Sequence, residues 1–281
     1  MKNSKILPQI KKIDALILAC AGLLLALLCL VNYSNIDLEI QKYLFDFKTK
    51  TWLIDKDEPV KKLLFYQLPK VLFGLGVAAC FTAVILGFKI VSNGLLTGPR
   101  SKCGVTTRPR RHPAFTAGSS LHASNNFFTK NRHRFFLIFL GLSLIPLIAG
   151  NIKKFTNIYC PAQLEIYDGD KPYVRIFETY PSDFQQIKKG QCFPAGHAVV
   201  GFALMILFFA FTKKSHRLWG LASGLILGSI TGFYQMAKGA HFLGDSLVSM
   251  LVCFLLAASI YKIYSQVILS LSKDDSGRVL K

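Results

Sequence analysis

Residues 15–31 read ALILACAGLLLALLCLV, seventeen residues without a charged side chain. About 17 mostly apolar residues is the practical minimum for a helix that crosses the hydrocarbon core of a membrane. Five more charge-free stretches follow, at residues 71–87, 135–150, 198–211, 218–236 and 246–260. A soluble core could bury one or two such segments, but not six. The sequence therefore predicts an all-α fold, a six-transmembrane-helix bundle.

Two of the six stretches are short and reach spanning length only by taking in polar residues. The fourth must include Gly196, His197 and Thr212, and the sixth must include residues 241–245. Polar groups inside a membrane are costly and therefore often functional.

Composition separates this chain from other basic proteins. It has 281 residues, 34 Lys and Arg against 15 Asp and Glu, a net charge of +19, and only 17% charged residues. Its mean hydropathy is +0.39. A disordered polycation would be poor in apolar residues, and a nucleic-acid-binding domain would carry a polar surface. Both classes are excluded, and we expect no nucleic acid among the partners.

The distribution of basic residues predicts the orientation, since Lys and Arg favour cytoplasmic loops. With the N-terminus inside, the inward connections carry 20 of the 34 basic residues and three acids. The outward connections carry the other 14 bases and 11 acids. The sequence therefore predicts that both termini are cytoplasmic. The first stretch is long for a signal peptide and lacks a cleavage site, which favours a retained signal anchor.

Three regions follow from this arrangement: an N-terminal membrane region at 1–134, a core of four spans at 135–264, and a cytoplasmic tail at 265–281. The outward connection 34–69 is amphipathic, which fits either an interfacial helix or a short helix packed on the bundle. Within the basic cytoplasmic loop 93–134, residues 95–131 lack apolar periodicity and predict a mobile loop or insertion. Its charges would set topology and contact anionic lipid.

Cysteine placement allows one disulfide. Cys160 and Cys192 are the only outward-facing pair, and an oxidising exterior permits a bond between them. Cys103 lies in the cytoplasmic loop and should be reduced. The other four cysteines lie in apolar spans, where they act as small hydrophobic residues.

Residues that can carry chemistry collect at the outward ends of three predicted spans, at 153–161, 192–197 and 234–245. His241 and Asp245 are four residues apart, so on a helix they would share one face. A carboxylate there can hold one imidazole nitrogen and leave the other free as nucleophile or base.

A phosphate would suit the groups around this pair. Residues 194–197 read as the opening turn of the fourth span, where free N–H groups favour an anion and Gly196 allows close backbone approach. Lys153 and Lys238 supply positive charge for phosphoryl oxygens. No Asp/Glu cluster of the divalent-metal type accompanies them, so we expect metal-independent chemistry without a cofactor.

Other interpretations of the same residues exist. A lone intramembrane His is more often structural than catalytic, and a Lys at a membrane boundary is usually an anchor. Zinc binding by His197, His241 and Asp245 is a further alternative. The placement of all three clusters on one membrane face favours catalysis.

The three clusters resemble the type-2 phosphatidic acid phosphatases, or lipid phosphate phosphatases, which are related to vanadium haloperoxidases. The pattern of that family is K-x6-R-P, then P-S-G-H, then S-R-x5-H-x3-D. This chain has Lys153-x6-Cys160-Pro161, then 194–197 as Pro-Ala-Gly-His, then 234–245 as Tyr-Gln-x5-His-x3-Asp. The resemblance covers roughly residues 135–261, and the wording around His241 looks like a bacterial branch.

The resemblance implies a role for each matching residue. His241 would attack phosphorus and form a phosphohistidine, Asp245 would orient it, and His197 would protonate the leaving oxygen. Lys153 and the Gly196 amide would hold phosphate oxygens, with help from Gln235 and Lys238.

Three positions depart from the family pattern. Cys160 and Gln235 stand where the family has Arg, and Ala195 replaces a Ser. Arg binds phosphate bidentately and Gln cannot. Lys238 would restore one charge, and Lys154 or Arg175 would supply another.

The resemblance thus implies a phosphatase of the bacterial cytoplasmic (inner) membrane, with its active site on the outer face. Its substrate would be a phosphomonoester or pyrophosphate on a lipid of the phosphatidic acid, phosphatidylglycerol phosphate, undecaprenyl pyrophosphate or lipid A class. An inactive relative, a lipid phosphotransferase, and a membrane transporter or scaffold are the alternatives.

Overall fold

The computed structural model describes residues 6–96 and 118–278. Helix accounts for 74% and strand for 3%, so the predicted all-α class is confirmed. The helices are α1 (Ile6–Tyr33), α2 (Ile36–Lys42), α3 (Pro59–Lys62), α4 (Leu68–Leu96), α5 (Gly118–Thr156), α6 (Gly196–Phe202), α7 (Ile206–Ala210), α8 (Lys214–Ala237) and α9 (Leu243–Arg278). A two-stranded hairpin is formed by β1 (Phe45–Asp46) and β2 (Thr51–Trp52).

Four helical segments are long and apolar enough to cross a membrane: Lys11–Tyr33, Pro59–Lys89, Phe127–Gln163 and Leu243–Leu271. The predicted fourth span corresponds to a shorter apolar helix, Gly196–Ala210, in which a 3-10 turn joins α6 to α7. The predicted fifth corresponds to α8, which is long enough but is not among the four. The described residues therefore indicate a membrane protein, and the six-span count stays a prediction.

Helices α1 and α9 run antiparallel against each other. Lys262 of α9 pairs with Asp14 of α1 at 2.5 Å, while Gly244 at the start of α9 lies against Val31 near the end of α1. Both described ends of the chain therefore lie at the same end of the bundle. α9 continues as a helix through most of the predicted tail, to Arg278.

The core of the bundle lies between α5, α6, α7 and α9, and α8 approaches it closely through glycine. Gly220, Gly224, Gly228 and Gly232 recur every fourth residue on α8, and all are buried. A Cβ on Gly228 would collide with the ring of Phe202, and a Cβ on Gly201 of α6 would collide with the backbone of Gly228. Small residues at such an interface let two helix backbones touch.

The connection between α1 and α4 packs on the bundle. α2 buries Asp37 and Gln41, and Nε2 of Gln41 donates to the carbonyl oxygen of Met236 at 2.9 Å. The hairpin places Phe45 and Trp52 against Tyr167 of the α5–α6 connection, with ring centroids 5.5 and 5.4 Å from it. Of the two forms predicted for residues 34–69, the structure shows the one in which a short helix packs on the bundle.

The prediction of an irregular loop over 95–131 is wrong for residues 118–131, which form the first turns of α5. Packing against α4 supports this helix beyond its apolar part, since a Cβ at Gly87 would lie 3.1 Å from Cβ of Arg132. Tertiary contact commonly outweighs local composition in this way. Residues 97–117, with Cys103, lie outside the described residues.

The connection between α5 and α6 is held in place by polar contacts at its ends. The side-chain amides of Asn157 and Gln186 bond to each other twice, at 2.9 Å each. Thr156 Oγ1 donates to the carbonyl oxygen of Phe193 at 2.5 Å. Cys160 and Cys192 form a disulfide, with Cα atoms 5.1 Å apart. The end of α5 is thereby fixed against the start of α6.

Candidate active site

His241 and Asp245 form a buried pair at the start of α9. Nδ1 of His241 lies 3.4 Å from Oδ2 of Asp245, and the two side chains are only 3% and 4% exposed. Oδ2 also accepts the backbone N–H of Phe242 at 3.0 Å. α9 begins at Leu243, so His241 precedes the helix, and the pair meets across a turn instead of along the predicted helical face. Asp245 therefore holds Nδ1 and leaves Nε2 available.

His197 meets that available nitrogen. It lies in the first turn of α6, and its Nδ1 is 3.3 Å from Nε2 of His241. Ser249 connects the two helix starts, since its Oγ donates to the carbonyl oxygens of Asp245 and Ala195, at 2.8 and 3.3 Å. Two imidazoles thus face each other at the nitrogen atoms that could serve as nucleophile and proton donor.

Burial controls the protonation of His241. Burial lowers the pKa of His241 to about 3, and the positive charges of Lys153 and Lys238 add to this effect. A histidine with that pKa is a neutral imidazole at physiological pH, which is its nucleophilic form.

Lys153 reaches the site from the end of α5. Its Nζ lies 3.0 Å from the position that a Cβ at Gly196 would occupy. Any side chain at position 196 would therefore press on the ammonium group. The glycine keeps the backbone at the start of α6 open toward Lys153.

Lys238 and Gln235 reach the site from the end of α8. Lys238 Nζ lies 5.1 and 5.2 Å from the ring centroids of Tyr234 and Tyr66. Burial is the main cause that lowers the pKa of Lys238, and the charges of Lys62 and Lys70 add to it. Gln235 is 1% exposed, and neither of its amide atoms has a hydrogen-bond partner within the described residues.

The disulfide lies directly behind the His241 imidazole. The sulfur of Cys192 is 3.3 Å from Nδ1 of His241 and 2.8 Å from the carbonyl oxygen of Ala240. Cys160, at the first Arg position of the family pattern, is the other half of this bond. That position therefore supports His241 sterically and brings no charge to the site.

Two predicted helpers do not reach the site. Lys154 Nζ bonds to Asn151 on α5 at 2.8 Å, and Arg175 binds Asn35 at 3.0 Å and faces Glu178 at 3.7 Å. The prediction that one of them restores a charge is wrong, because each is engaged elsewhere.

Three residues of the N-terminal region also contact this site, although no sequence motif marks them. The ring of Tyr66 lies 5.1 Å from that of His197, and Lys70 lines the same cleft. Asp37 accepts the N–H of Gly244 at 2.8 Å. One sequence signal was available: Lys70 is the only charged residue between positions 63 and 88.

The potential for metal binding is limited at this site. Within the described residues, Cys192, His241 and Asp245 place their potential ligand atoms within 4.8 Å of one another. Cys192 is bonded to Cys160 in the disulfide, so it has no thiolate with which to bind a metal. One imidazole and one carboxyl remain in that cluster, fewer than a structural or catalytic zinc site requires.

Fold and site together define a helical membrane protein with a histidine–aspartate centre and a lysine-rich surround. Residues 134–268 match the model of the PAP2 superfamily, and this match is consistent with a member of that superfamily. Comparison with curated proteins and with solved structures gave no match. PAP2 proteins are generally phosphoric ester hydrolases, which indicates phosphatase-type chemistry on a phosphate ester.

Proposed function

We propose that this protein is an integral membrane phosphatase that hydrolyses a phosphomonoester or pyrophosphate on a lipid through a phosphohistidine at His241. The observation that carries the proposal is the orientation of the His241 ring. Asp245 lies at Nδ1, 3.4 Å away, while Nε2 faces His197 at 3.3 Å. Such an arrangement suits in-line attack by one histidine and proton transfer by the other.

In the first step, Nε2 of His241 attacks phosphorus, and the bond from phosphorus to the lipid oxygen breaks. His197 takes up a proton as the anionic substrate binds and gives it to that oxygen, so the lipid leaves as a neutral alcohol, or as a monophosphate if the substrate is a pyrophosphate. Asp245 stabilises the positive charge that develops on His241. Lys153, Lys238 and the Gly196 amide hold the phosphoryl oxygens, and Gln235 adds a neutral contact.

In the second step, neutral His197 accepts a proton from water while the water oxygen attacks phosphorus. The bond between phosphorus and Nε2 breaks, inorganic phosphate leaves, and His241 is again a neutral imidazole. No metal ion takes part in either step of this proposal.

The proposed setting is the bacterial cytoplasmic membrane, crossed six times, with the site on the outer face. The excess of basic residues on alternate connections supports this orientation. The chemistry-bearing residues lie at helix ends, where a lipid headgroup can enter laterally from the bilayer. Phosphatidic acid, phosphatidylglycerol phosphate, undecaprenyl pyrophosphate and lipid A phosphates are the candidate substrates.

The test is phosphate release from these lipids by the purified full-length protein, with and without EDTA. We expect turnover that EDTA leaves unchanged, and a loss of kcat by more than about 10³-fold in His241→Ala. His216→Ala is the matched control, because His216 is an exposed histidine near the start of α8, at the opposite end of the bundle. With phosphorus-32 substrate and an alkaline quench, the label should be found on the peptide that contains His241.

Three outcomes would contradict the proposal. Activity that survives in His241→Ala would show that His241 is not the nucleophile. Transfer of the phosphoryl group to an added alcohol in preference to water would indicate a phosphotransferase. No turnover of any lipid phosphate would indicate an inactive relative, or a transporter or scaffold.

A further inference from the structure

The N-terminal region contributes a second cationic group to the site. Lys70 lies in the first turn of α4, outside the residues that match the PAP2 model. Its Nζ lies 3.6 Å above the ring of Tyr66, which in turn lies 5.1 Å from His197. Lys70, Lys153 and Lys238 are all close enough to His197 to act on it electrostatically.

Local backbone structure brings Tyr66 and Lys70 together. Residues Leu63–Gln67 form a π-helical turn immediately before α4. Such turns are rare and are frequently found at functional sites. This one places Tyr66 toward His197 and Lys70 over Tyr66.

An unpaired buried amide points to a ligand at the same place. Gln235 lines a cleft with Tyr66, Lys70 and His197. It is 1% exposed, and its amide oxygen and nitrogen both lack partners within the described residues. A buried polar group without a partner costs about 1–3 kcal/mol, so its retention is explained if a polar ligand binds there.

We infer that Lys70 and Tyr66 are substrate-binding residues that, with Gln235 and Lys238, hold the phosphate oxygens for which the family pattern uses its two Arg residues. The inference rests on the proposed function for its substrate. Lys70 supplies a charge from α4 that the PAP2-matching residues lack at Cys160 and Gln235. The Tyr66 ring holds the Lys70 and Lys238 ammonium groups by cation–π contact, and its hydroxyl can donate to an oxygen.

The test compares Lys70→Gln, Lys70→Arg and Tyr66→Phe with the wild-type protein in two assays. The first measures KM and kcat for a lipid phosphate, and the second measures inorganic phosphate binding by calorimetry. Loss of a charge-assisted hydrogen bond should raise KM and the phosphate Kd of Lys70→Gln by about 10- to 100-fold. Lys70→Arg should retain most of the affinity, and Tyr66→Phe should fall between them.

Lys154→Gln is the control, because it removes one positive charge beside Lys153 from a side chain bonded to Asn151. It should match the wild type in both assays. Wild-type turnover together with unchanged KM and phosphate Kd in Lys70→Gln would overturn this inference alone. Phosphate binding that depends on Lys70 without any turnover would support it and overturn the proposed hydrolysis.

Discussion

Asp37 is a buried carboxyl beside the catalytic pair, and it makes the stability of the protein depend on pH. Burial raises the pKa of Asp37 from 3.8 to about 7, and the nearby charge of Asp245 adds to this effect. Its folded-state pKa therefore lies above its unfolded value. The protonated carboxyl stabilises the fold fully below about pH 4, and this stabilisation is lost as pH rises toward 7.

Asp37→Asn should remove this pH dependence. The amide oxygen can still accept the N–H of Gly244, and the group no longer ionises. In detergent, the free energy of unfolding of the wild type relative to Asp37→Asn should fall between pH 4 and 7, at up to about 1.4 kcal/mol per pH unit. Asp55→Asn, at an exposed aspartate, should behave as the wild type. An identical pH dependence in wild type and Asp37→Asn would contradict the assignment.

At the residue scale, the sequence predicted the groups whose roles follow from local spacing. His197, His241, Asp245, Lys153 and Gly196 all lie together in the structure. Tyr66, Lys70 and Asp37 were missed because tertiary contacts, and not sequence neighbours, bring them to the site. In the sequence, a lone lysine before an apolar run shows only its charge, and no local pattern shows which helix ends it meets.

At the element scale, α8 depends on glycine to reach the core. Gly228→Ala should be strongly destabilising, because its Cβ would meet the Phe202 ring with no room to relax. Overpacking of this kind costs about 1–3 kcal/mol. The shift would also move α6 away from α8, and these helices carry His197 and Gln235. We therefore expect a lower Tm together with a lower kcat/KM.

Gly74→Ala on α4 is the matched control, since a Cβ there meets nothing within 4 Å. Alanine favours a helix over glycine by up to about 1 kcal/mol, so Tm should be unchanged or higher. Thermal unfolding followed by circular dichroism compares the two variants. Equal Tm values would show that backbone contact between α6 and α8 is not what limits stability.

The elements differ in how far sequence could define them. Charge-free runs predicted α1, α4 and the apolar half of α5, because hydrophobicity alone decides such helices. The sequence predicts a loop for the polar turns at 118–131, since it does not show the packing of Phe128 and Arg132 against Gly87 of α4. The hairpin at Phe45–Trp52 was not anticipated either, because its two-residue strands are held by aromatic contacts with Tyr167.

At the scale of the whole molecule, both halves of the chain meet at one end of the bundle. There the end of α1 contacts the start of α9, α2 contacts the end of α8 and the start of α9, and the start of α4 lies beside the start of α6. The opposite end carries the Asp14–Lys262 pair and the start of α8. The orientation of the site in the membrane is therefore one question for the entire molecule, and the Cys160–Cys192 disulfide provides a test of it.

If the site faces the oxidising side, Cys160 and Cys192 should be bonded in intact cells. In a variant whose other five cysteines are replaced by Ala, a maleimide mass tag should label no thiol before reduction and two after it. The Cys160→Ser variant, with one thiol left, is the control for labelling efficiency. Cys160→Ser should also lower Tm, because it removes a disulfide that closes a loop of about 33 residues and stabilises the fold by roughly 3–4 kcal/mol. Two thiols labelled without reduction would place the site on the reducing side and contradict the predicted orientation.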